Sequence, residues 1–212
     1  VALVDPPAGL SRIKEPAVQL ALWRRLAVPA FVAALSEPSL PPYALPTFTG
    51  LVPAAGASAP MRIALAAQKS DEHPGLGQRE LDELAADVER LVGIFAQLAG
   101  CEAVAVRLEA LPDNGCSAWH QDCVPYRLVT TYRGPCTEWV HPDHSNRTLR
   151  RKRADSKHAR SLCHHDVALF KGRGDVSTHG DSLLNHPGIV HRSPRIEGSG
   201  IHRVVLVLDV PR

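Results

Sequence analysis

The chain changes its hydrophobic period at Gly100, and this switch constrains the fold more than any other feature of the sequence. Before it, apolar residues recur at helical spacing from Gln78 to Ala99, which predicts an amphipathic helix that ends at Gly100. After it, Val104, Val106 and Leu108 alternate with more polar or smaller residues, as in a half-buried strand. A long helix therefore leads directly into a β region.

Four later segments also have the composition of strands, and Gly, Pro, Asn or Asp residues separate them. They are Tyr126–Tyr132, Asp166–Phe170, Gly188–His191 and Arg203–Val210. Short strands without helices between them favour a sandwich or a small barrel. Residues 142–165 interrupt this pattern with a strongly basic stretch that is too polar for a core. We expect it to be a long insertion or a lid.

The first hundred residues are expected to be mainly helical and loop-like support for a β core in residues 101–212. Val18, Leu22 and Leu26 recur at helical spacing and predict a first helix that ends or kinks at Pro29. Six prolines between residues 38 and 60 exclude a continuous helix or central strand, so residues 36–60 are expected to wrap over the surface. A length of 212 residues, 44% of them hydrophobic, predicts a single domain.

Charge and cysteine content argue against several classes of protein. The 24 basic and 22 acidic residues are nearly balanced, which gives no reason to expect a nucleic-acid or membrane partner. No segment approaches the roughly 20 apolar residues of a membrane helix, and none reads as a signal peptide, so we expect a soluble protein. Five cysteines without a CxxC pair predict reduced thiols in the cytoplasm, and neither a disulfide framework nor a zinc ribbon.

The chemistry is expected in the second half, where ten of the 11 histidines lie. His120 and Asp122 are two residues apart, so on an extended backbone both side chains leave the same face and can bind one ion. His191 follows an apolar run and offers a third ligand. Two imidazoles and one carboxylate on one side of an ion suit iron(II) and leave positions open on its other side. We therefore predict a catalytic metal site at His120, Asp122 and His191.

Arg203 begins a strongly β-branched strand twelve residues after His191. A guanidinium held on a strand beside that histidine can bind a carboxylate through two parallel hydrogen bonds. We predict that Arg203 anchors a carboxylate co-substrate. Pairing of Arg203 with Asp209 or Glu197 is an alternative, and other arginines compete for the anchoring role: Arg127, Arg133, Arg192 and Arg195.

These residues carry a resemblance to a known group of enzymes. The order His-x-Asp, His, then Arg on the next strand resembles iron(II) and 2-oxoglutarate oxygenases of the double-stranded β-helix fold, a cupin-like jelly roll. Four segments also resemble a family known as domain of unknown function 1826, over roughly residues 100–210. These segments are Trp119–Asp122, Thr131–Val140, Ala168–Gly172 and Val190–Pro194.

The oxygenase resemblance implies an α+β protein with a jelly-roll core and a non-haem dioxygenase activity. Fe(II) would be held by His120, Asp122 and His191, and 2-oxoglutarate by Arg203. Molecular oxygen would be consumed as 2-oxoglutarate is converted to succinate, and hydroxylation, desaturation or ring closure of a substrate would follow. The main alternative is a non-catalytic cupin-like metal binder or sensor. A weaker one is a nucleic-acid or protein oxygenase, including a demethylase.

The substrate is expected to be a small polar molecule such as an amino acid. A carboxylate prefers a planar guanidinium and an ammonium needs an acceptor, so we predict substrate binding by Arg127, Arg133, Arg192 and Glu138. A second metal site at His141, His144 and residues 163–165 fits no zinc spacing, so an exposed loop is expected there. The basic run at 147–153 is read as solvated surface or lid, which makes a nucleic-acid partner the less favoured alternative.

Overall fold

The computed structural model describes residues 1–5, 7–66, 75–174 and 188–211. Its strands are β1 Ala2–Val4, β2 Leu20–Trp23, β3 Phe48–Pro53, β4 Ala103–Leu111, β5 Tyr126–Arg133, β6 Glu138–Val140, β7 Ala159–Ser161, β8 Val167–Lys171, β9 His191–Arg192 and β10 Arg203–Asp209. Its α-helices are α1 Ala30–Leu35, α2 Ser58–Ala66, α3 Gln78–Ala99 and α4 Pro142–Arg151, and short 3-10 helices span Pro7–Lys14 and Pro42–Ala44.

Two sheets form the β structure. Seven strands make a mixed sheet in the order β1-β2-β8-β5-β10-β4-β3, and three make a smaller one in the order β7-β6-β9. Strand β10 lies between β4 and β5 and is antiparallel to both. Because both of its faces are covered, β10 reads as an uninterrupted apolar run from Val204 to Leu208, all of it buried.

The large sheet separates two layers of packing. Alternate residues of its strands, such as Leu206 and Leu208, share a hydrophobic cluster with the buried stripe of α3. The residues between them, such as Val205 and Val207, join a second cluster with Trp139 and Ile189 on the side of the small sheet. The molecule is therefore a mixed α/β structure in which helices cover one face of the large sheet and the small sheet faces the other.

The long helix and the strands of the second half are confirmed. Helix α3 has the predicted bounds and ends at Gly100, whose φ of 70° is left-handed as expected for a helix stop. Strands β4, β5, β8 and β10 fall on predicted segments, with differences of a few residues at their ends, whereas β9 shares only His191 with the predicted segment Gly188–His191. Val104, Val106 and Leu108 are buried, as their alternation predicts.

The helix predicted from Val18, Leu22 and Leu26 is wrong. Strand β2 occupies Leu20–Trp23 and pairs with β1 and β8. All four of its residues are buried, so its sequence is continuously apolar and carries no period of two. Leu26, which completed the helical pattern, is instead 90% exposed. The front half thus contributes three strands, β1, β2 and β3, to the large sheet as well as the helices that support it.

Two other expectations about loops are also corrected. Residues 36–60 do not only wrap the surface, because they contain β3 and the start of α2. Strand β3 lies at the edge of the large sheet, where proline at a strand end is tolerated. Residues 142–165 are not a plain insertion or exposed loop, since they supply α4 and strand β7 of the small sheet. No helix in the described ranges has both the length and the apolar character needed to cross a membrane.

Candidate metal centre

The two histidines of the predicted site are held opposite each other by backbone pairing. The His120 amide donates to the His191 carbonyl, and the His191 amide donates to the His120 carbonyl, both at 3.0 Å. They form an isolated antiparallel bridge at the end of β9. Their ring centroids are 4.4 Å apart. Segments 71 residues apart in sequence therefore meet at a fixed register.

Both imidazole rings are oriented by a hydrogen bond from the nitrogen that faces away from the cluster. His120 Nδ1 lies 2.8 Å from the Ala118 carbonyl, and His191 Nδ1 lies 3.2 Å from the Ile189 carbonyl. A carbonyl oxygen only accepts, so each Nδ1 carries the proton and each Nε2 keeps a free lone pair. This is the usual arrangement of a histidine that binds a metal.

Asp122 completes the cluster between the two rings. Its Oδ2 lies 3.4 Å from His191 Nε2, and its Oδ1 lies 3.8 Å from His120 Nε2. One ligand atom from each of the three residues lies within 4.8 Å of the other two. These separations suit an ion with bonds of roughly 2 Å. Within the described ranges this is the sole group of three or more such residues that could hold a metal.

Burial and unsatisfied hydrogen bonding also point to an ion at this position. The side chains of Asp122 and His191 are each 6% exposed. Asp122 Oδ2 is buried and makes no hydrogen bond to any described residue. A buried oxygen without a partner is costly, and a cation would remove that cost. His120 is the ligand on the open side, with 27% of its side chain exposed.

Burial also sets the protonation state of His191. It lowers the pKa of His191 to about 4, and this effect outweighs the neighbouring Asp122 carboxylate, which acts to raise it. The ring is therefore neutral at pH 7 even before any ion binds. A neutral imidazole is the form that binds a metal.

Arg127 links the cluster to strand β10. Its NH1 donates to Asp122 Oδ1 at 2.5 Å. Its Nε and NH2 donate to the two carboxylate oxygens of Asp209, at 2.7 and 2.9 Å. Strand register explains the arrangement, because Asp209 of β10 lies directly opposite Arg127 of β5. Asp209 had been considered as a partner for Arg203, and the structure pairs it with Arg127 instead.

Arg203 is a buried cation whose partners within the described ranges are hydroxyl groups. Its NH2 donates to Thr137 at 2.7 Å and to Thr131 at 3.2 Å, and its NH1 reaches Ser193 at 3.5 Å. Its Nε makes no hydrogen bond to a described residue. Burial lowers the pKa of Arg203 to about 10, which is still well above neutral pH. Among the described residues no carboxylate forms a salt bridge with this buried charge, and Glu109 acts on it only at longer range.

One cavity of about 240 Å³ contains both the histidines and Arg203. Its floor is the face of the large sheet that carries Val205 and Val207. Its lining is formed by Arg107, Glu109, Leu111, Gly115, Cys116, His120, Arg127, Val129, Thr137, His191, Ser193, Arg203, Val205 and Val207. The cavity wall therefore contains two residues of the candidate metal cluster, His120 and His191, in one part and a buried cation in another.

Of the four predicted substrate-binding residues, the structure brings Arg127 to this cavity. Arg192 donates to Glu138 at 2.6 Å and lies over the Trp119 ring. Arg133 donates to the Leu40 carbonyl at 3.2 Å. Arg192, Glu138 and Arg133 do not line the cavity. Their proposed contact with substrate has no support in this geometry.

Several residues of the cavity were missed in the sequence. Thr131 and Thr137 bind Arg203, while Arg107 and Glu109 stand in the wall beside Val205 and Val207. The alternation of β4 gives one signal for the last two, since Arg107 and Glu109 occupy the face opposite Val106 and Leu108. The threonines carry no such signal, because an ordinary strand also contains them.

The histidines near residues 141–165 have other partners. His141 Nδ1 accepts from the Asp143 amide at the start of α4, and His144 stacks on His158 with ring centroids 3.7 Å apart. His164 Nε2 donates to the Gly134 carbonyl at 2.6 Å, and His165 is buried. Among the described residues, these histidines do not belong to a group of three or more side chains that could hold a metal. Their expected position in an exposed loop is wrong for His165.

Comparison with known proteins gives one match to a family. A family model described as "Protein of unknown function (DUF1826)" matches residues 4–209. This confirms the resemblance seen in the four motifs and extends it from the β core to the front half of the chain. No curated protein matches.

A similarity to a solved structure is weak. The chain is similar to AviO1 from Streptomyces viridochromogenes Tue57, at 16% identity and a TM-score of 0.42, over 100% of this chain and 97% of that one. At this TM-score the similarity supports no statement about fold or function.

Proposed function

This chain belongs to the DUF1826 family, and we propose that it is an Fe(II)- and 2-oxoglutarate-dependent oxygenase that oxidises a small polar substrate. The observation that carries the proposal is the shared cavity. It is lined by His120 and His191, two of the three residues of the candidate metal cluster, and by a buried arginine that forms no salt bridge with a carboxylate among the described residues.

The donor set favours iron among the common metals. Two imidazoles and one carboxylate on one side of an ion, with open positions on the other, are typical of non-haem Fe(II) oxygenases. A structural zinc site would be closed by a fourth protein ligand, and the described residues supply three. In this proposal, Fe(II) bound with 2-oxoglutarate supplies the oxygen-activating chemistry.

The chain's own residues would bind and orient the reactants. Arg203 would hold the distal carboxylate of 2-oxoglutarate, with Thr131, Thr137 and Ser193 keeping the guanidinium in place. Val205 and Val207 would give the cavity a dry floor between the anchor and the metal ligands. A volume of about 240 Å³ suits a small dicarboxylate, since cavities for larger ligands are roughly 300 to 1,000 Å³.

The proposal includes a double-stranded β-helix fold. The two facing sheets are compatible with it. His191 belongs to the small sheet and forms a bridge with His120. A cytoplasmic location is likewise retained, and five free cysteines agree with it.

In this proposal the substrate is bound by Arg107 and Glu109, which differ from the charged residues predicted from the sequence. Arg107 and Glu109 line the cavity and are 38% and 31% exposed at their side chains. Arg107 contacts Glu109 at 3.5 Å and Asp209 at 3.4 Å, and both contacts are long enough for a ligand to replace them. A free amino acid presents one carboxylate and one ammonium, which match this pair.

Succinate formation tests the proposal. The protein would be incubated in air with Fe(II), 2-oxoglutarate and a panel of free amino acids, and succinate would be measured by NMR. We expect one or more amino acids to raise succinate above background, and His191→Ala to abolish the signal. No succinate under any condition would favour the non-catalytic metal binder. Stimulation by oligonucleotides or peptides alone would refute the small substrate.

A further inference from the structure

We infer that Arg127 is a positioning residue that makes Asp122 bind the metal through one oxygen, Oδ2, and that Asp209 holds Arg127 in place for this task. The inference rests on the metal site of the proposed function. It concerns how many positions on the ion the protein leaves open.

The two oxygens of Asp122 have different surroundings. Oδ1 accepts a hydrogen bond from Arg127 NH1 at 2.5 Å. Oδ2 is buried, has no hydrogen-bond partner among the described residues and lies 3.4 Å from His191 Nε2. A charge-assisted hydrogen bond of this length is among the strong ones, so it fixes the direction of Oδ1. Each oxygen faces one histidine, since Oδ1 lies 3.8 Å from His120 Nε2. Oδ2 is the one without a hydrogen bond and is the oxygen that we assign to the ion.

Arg127 itself cannot turn freely, because its other nitrogens are also engaged. Nε and NH2 donate to both oxygens of Asp209 in the parallel geometry that a guanidinium and a carboxylate favour. The guanidinium is planar, so fixing this edge fixes NH1 as well. Asp209 is additionally held by Arg107 NH2 at 3.4 Å. Asp209, on strand β10, therefore fixes the direction in which Arg127 donates to Asp122.

The consequence concerns the coordination number. With one oxygen of Asp122, the two histidines and the aspartate would supply three ligand atoms to an ion. With both oxygens they would supply four, which would leave one position fewer for 2-oxoglutarate and oxygen. Arg127 would thus keep one more position on the ion available without itself contacting the ion.

Co(II) binding is the experiment, because Co(II) reports both affinity and geometry through its visible absorption. We expect Arg127→Gln to weaken Co(II) binding by about 10- to 100-fold, as is usual when a residue that orients a metal ligand is lost. The visible spectrum should change in shape and intensity because the Asp122 carboxylate is free to rotate. Asp209→Asn should change both in the same direction by a smaller factor.

Arg127→Lys separates positioning from simple charge compensation. A lysine keeps the positive charge but cannot bridge two carboxylates with a planar fork. We expect Arg127→Lys to resemble Arg127→Gln, with an altered spectrum. Full restoration of wild-type affinity and spectrum by lysine would overturn the positioning role. Unchanged Co(II) binding in a folded Arg127→Gln protein would overturn it as well.

Arg79→Gln is the control for metal binding. It also removes a guanidinium that donates to a carboxylate, but this carboxylate belongs to Glu83 of the same helix, α3, and not to a residue of the metal site. We expect its Co(II) affinity and spectrum to match the wild type, and an effect as large as that of Arg127→Gln would overturn the inference. Wild-type protein that binds no Co(II) would refute the metal site of the proposed function together with this inference. Wild-type binding that is insensitive to Arg127 would refute the inference alone.

Discussion

Two arginines are buried on opposite faces of the large sheet, and their partners differ. On the helix side, Arg25 donates to Asp87 Oδ1 at 2.6 Å, while the other Asp87 oxygen accepts from the Tyr132 hydroxyl at 2.7 Å. On the cavity side, Arg203 donates to hydroxyl groups alone within the described ranges. A compensated cation stabilises the fold, whereas an uncompensated one is available to bind an anion.

The pKa values of the two guanidinium groups follow this difference. Burial acts to lower the pKa of Arg25, but the acidic groups of Tyr132 and Asp87 oppose it and the net pKa is raised. Burial lowers the pKa of Arg203 to about 10, and this effect outweighs the nearby Cys136 and Glu109, which act to raise it. Both groups are charged at pH 7. The cost of keeping that charge buried therefore remains at Arg203, where a bound carboxylate would offset it.

The largest effect is expected from breaking the compensated pair. Arg25→Met should lower the free energy of unfolding by about 3–5 kcal/mol, because Asp87 is left as an unpaired charge beneath the helices. Urea denaturation of the protein without metal measures this. A loss below about 1 kcal/mol would show that the pair contributes little to the fold.

Replacement of Arg203 should weaken ligand binding without destabilising the fold. Arg203→Met should reduce 2-oxoglutarate affinity by about 30- to 1,000-fold, which corresponds to about 2–4 kcal/mol, because the carboxylate loses its buried partner. Isothermal titration of the metal-loaded protein without oxygen measures this affinity. The free energy of unfolding without ligand should stay equal or rise, since the buried unpaired charge is removed.

Arg133→Met is the control for that titration. Arg133 sits at the end of β5 near Arg203 in the sheet, but its guanidinium donates to the Leu40 carbonyl. We expect it to leave 2-oxoglutarate affinity unchanged. A large loss there, with none in Arg203→Met, would move the anchor to Arg133.

The smallest effect is expected in the pH dependence of the free energy of unfolding, through His165. Burial first, and then the Arg25 charge, lower the pKa of His165 from its ordinary value of 6.5. The unfolded chain therefore binds a proton more readily than the folded one, and stability that is present above pH 6.5 is lost as the pH falls. His165→Asn should flatten this acid limb in urea denaturation. Asparagine tolerates the φ of 49° at this position. An unchanged limb would exclude His165 as its source.

The elements that the sequence predicts best are those with one buried face or with strong end signals. Helix α3 and strand β4 each keep a clear period. Strand β2 was mistaken for a helix because both its faces are buried, so its apolar run contains no period of its own. Burial on both faces removes the pattern on which prediction depends.

The same limit applies to the site. The proximity of His120 and Asp122 could be predicted, since a separation of two residues fixes their common face locally. The partner of each arginine could not, because it depends on strand register. Asp209 pairs with Arg127 rather than Arg203, because the register of β10 against β5 places Asp209 opposite Arg127. The sequence alone does not contain that register.

A crystal structure of the protein grown and soaked without oxygen, with Fe(II) and 2-oxoglutarate, tests the comparison of the two arginines most directly. We predict one ion bound by His120 Nε2, Asp122 Oδ2 and His191 Nε2, with the distal carboxylate of 2-oxoglutarate on Arg203 and the Arg25–Asp87 pair unchanged. An ion at other residues, or a carboxylate bound away from Arg203, would contradict the account.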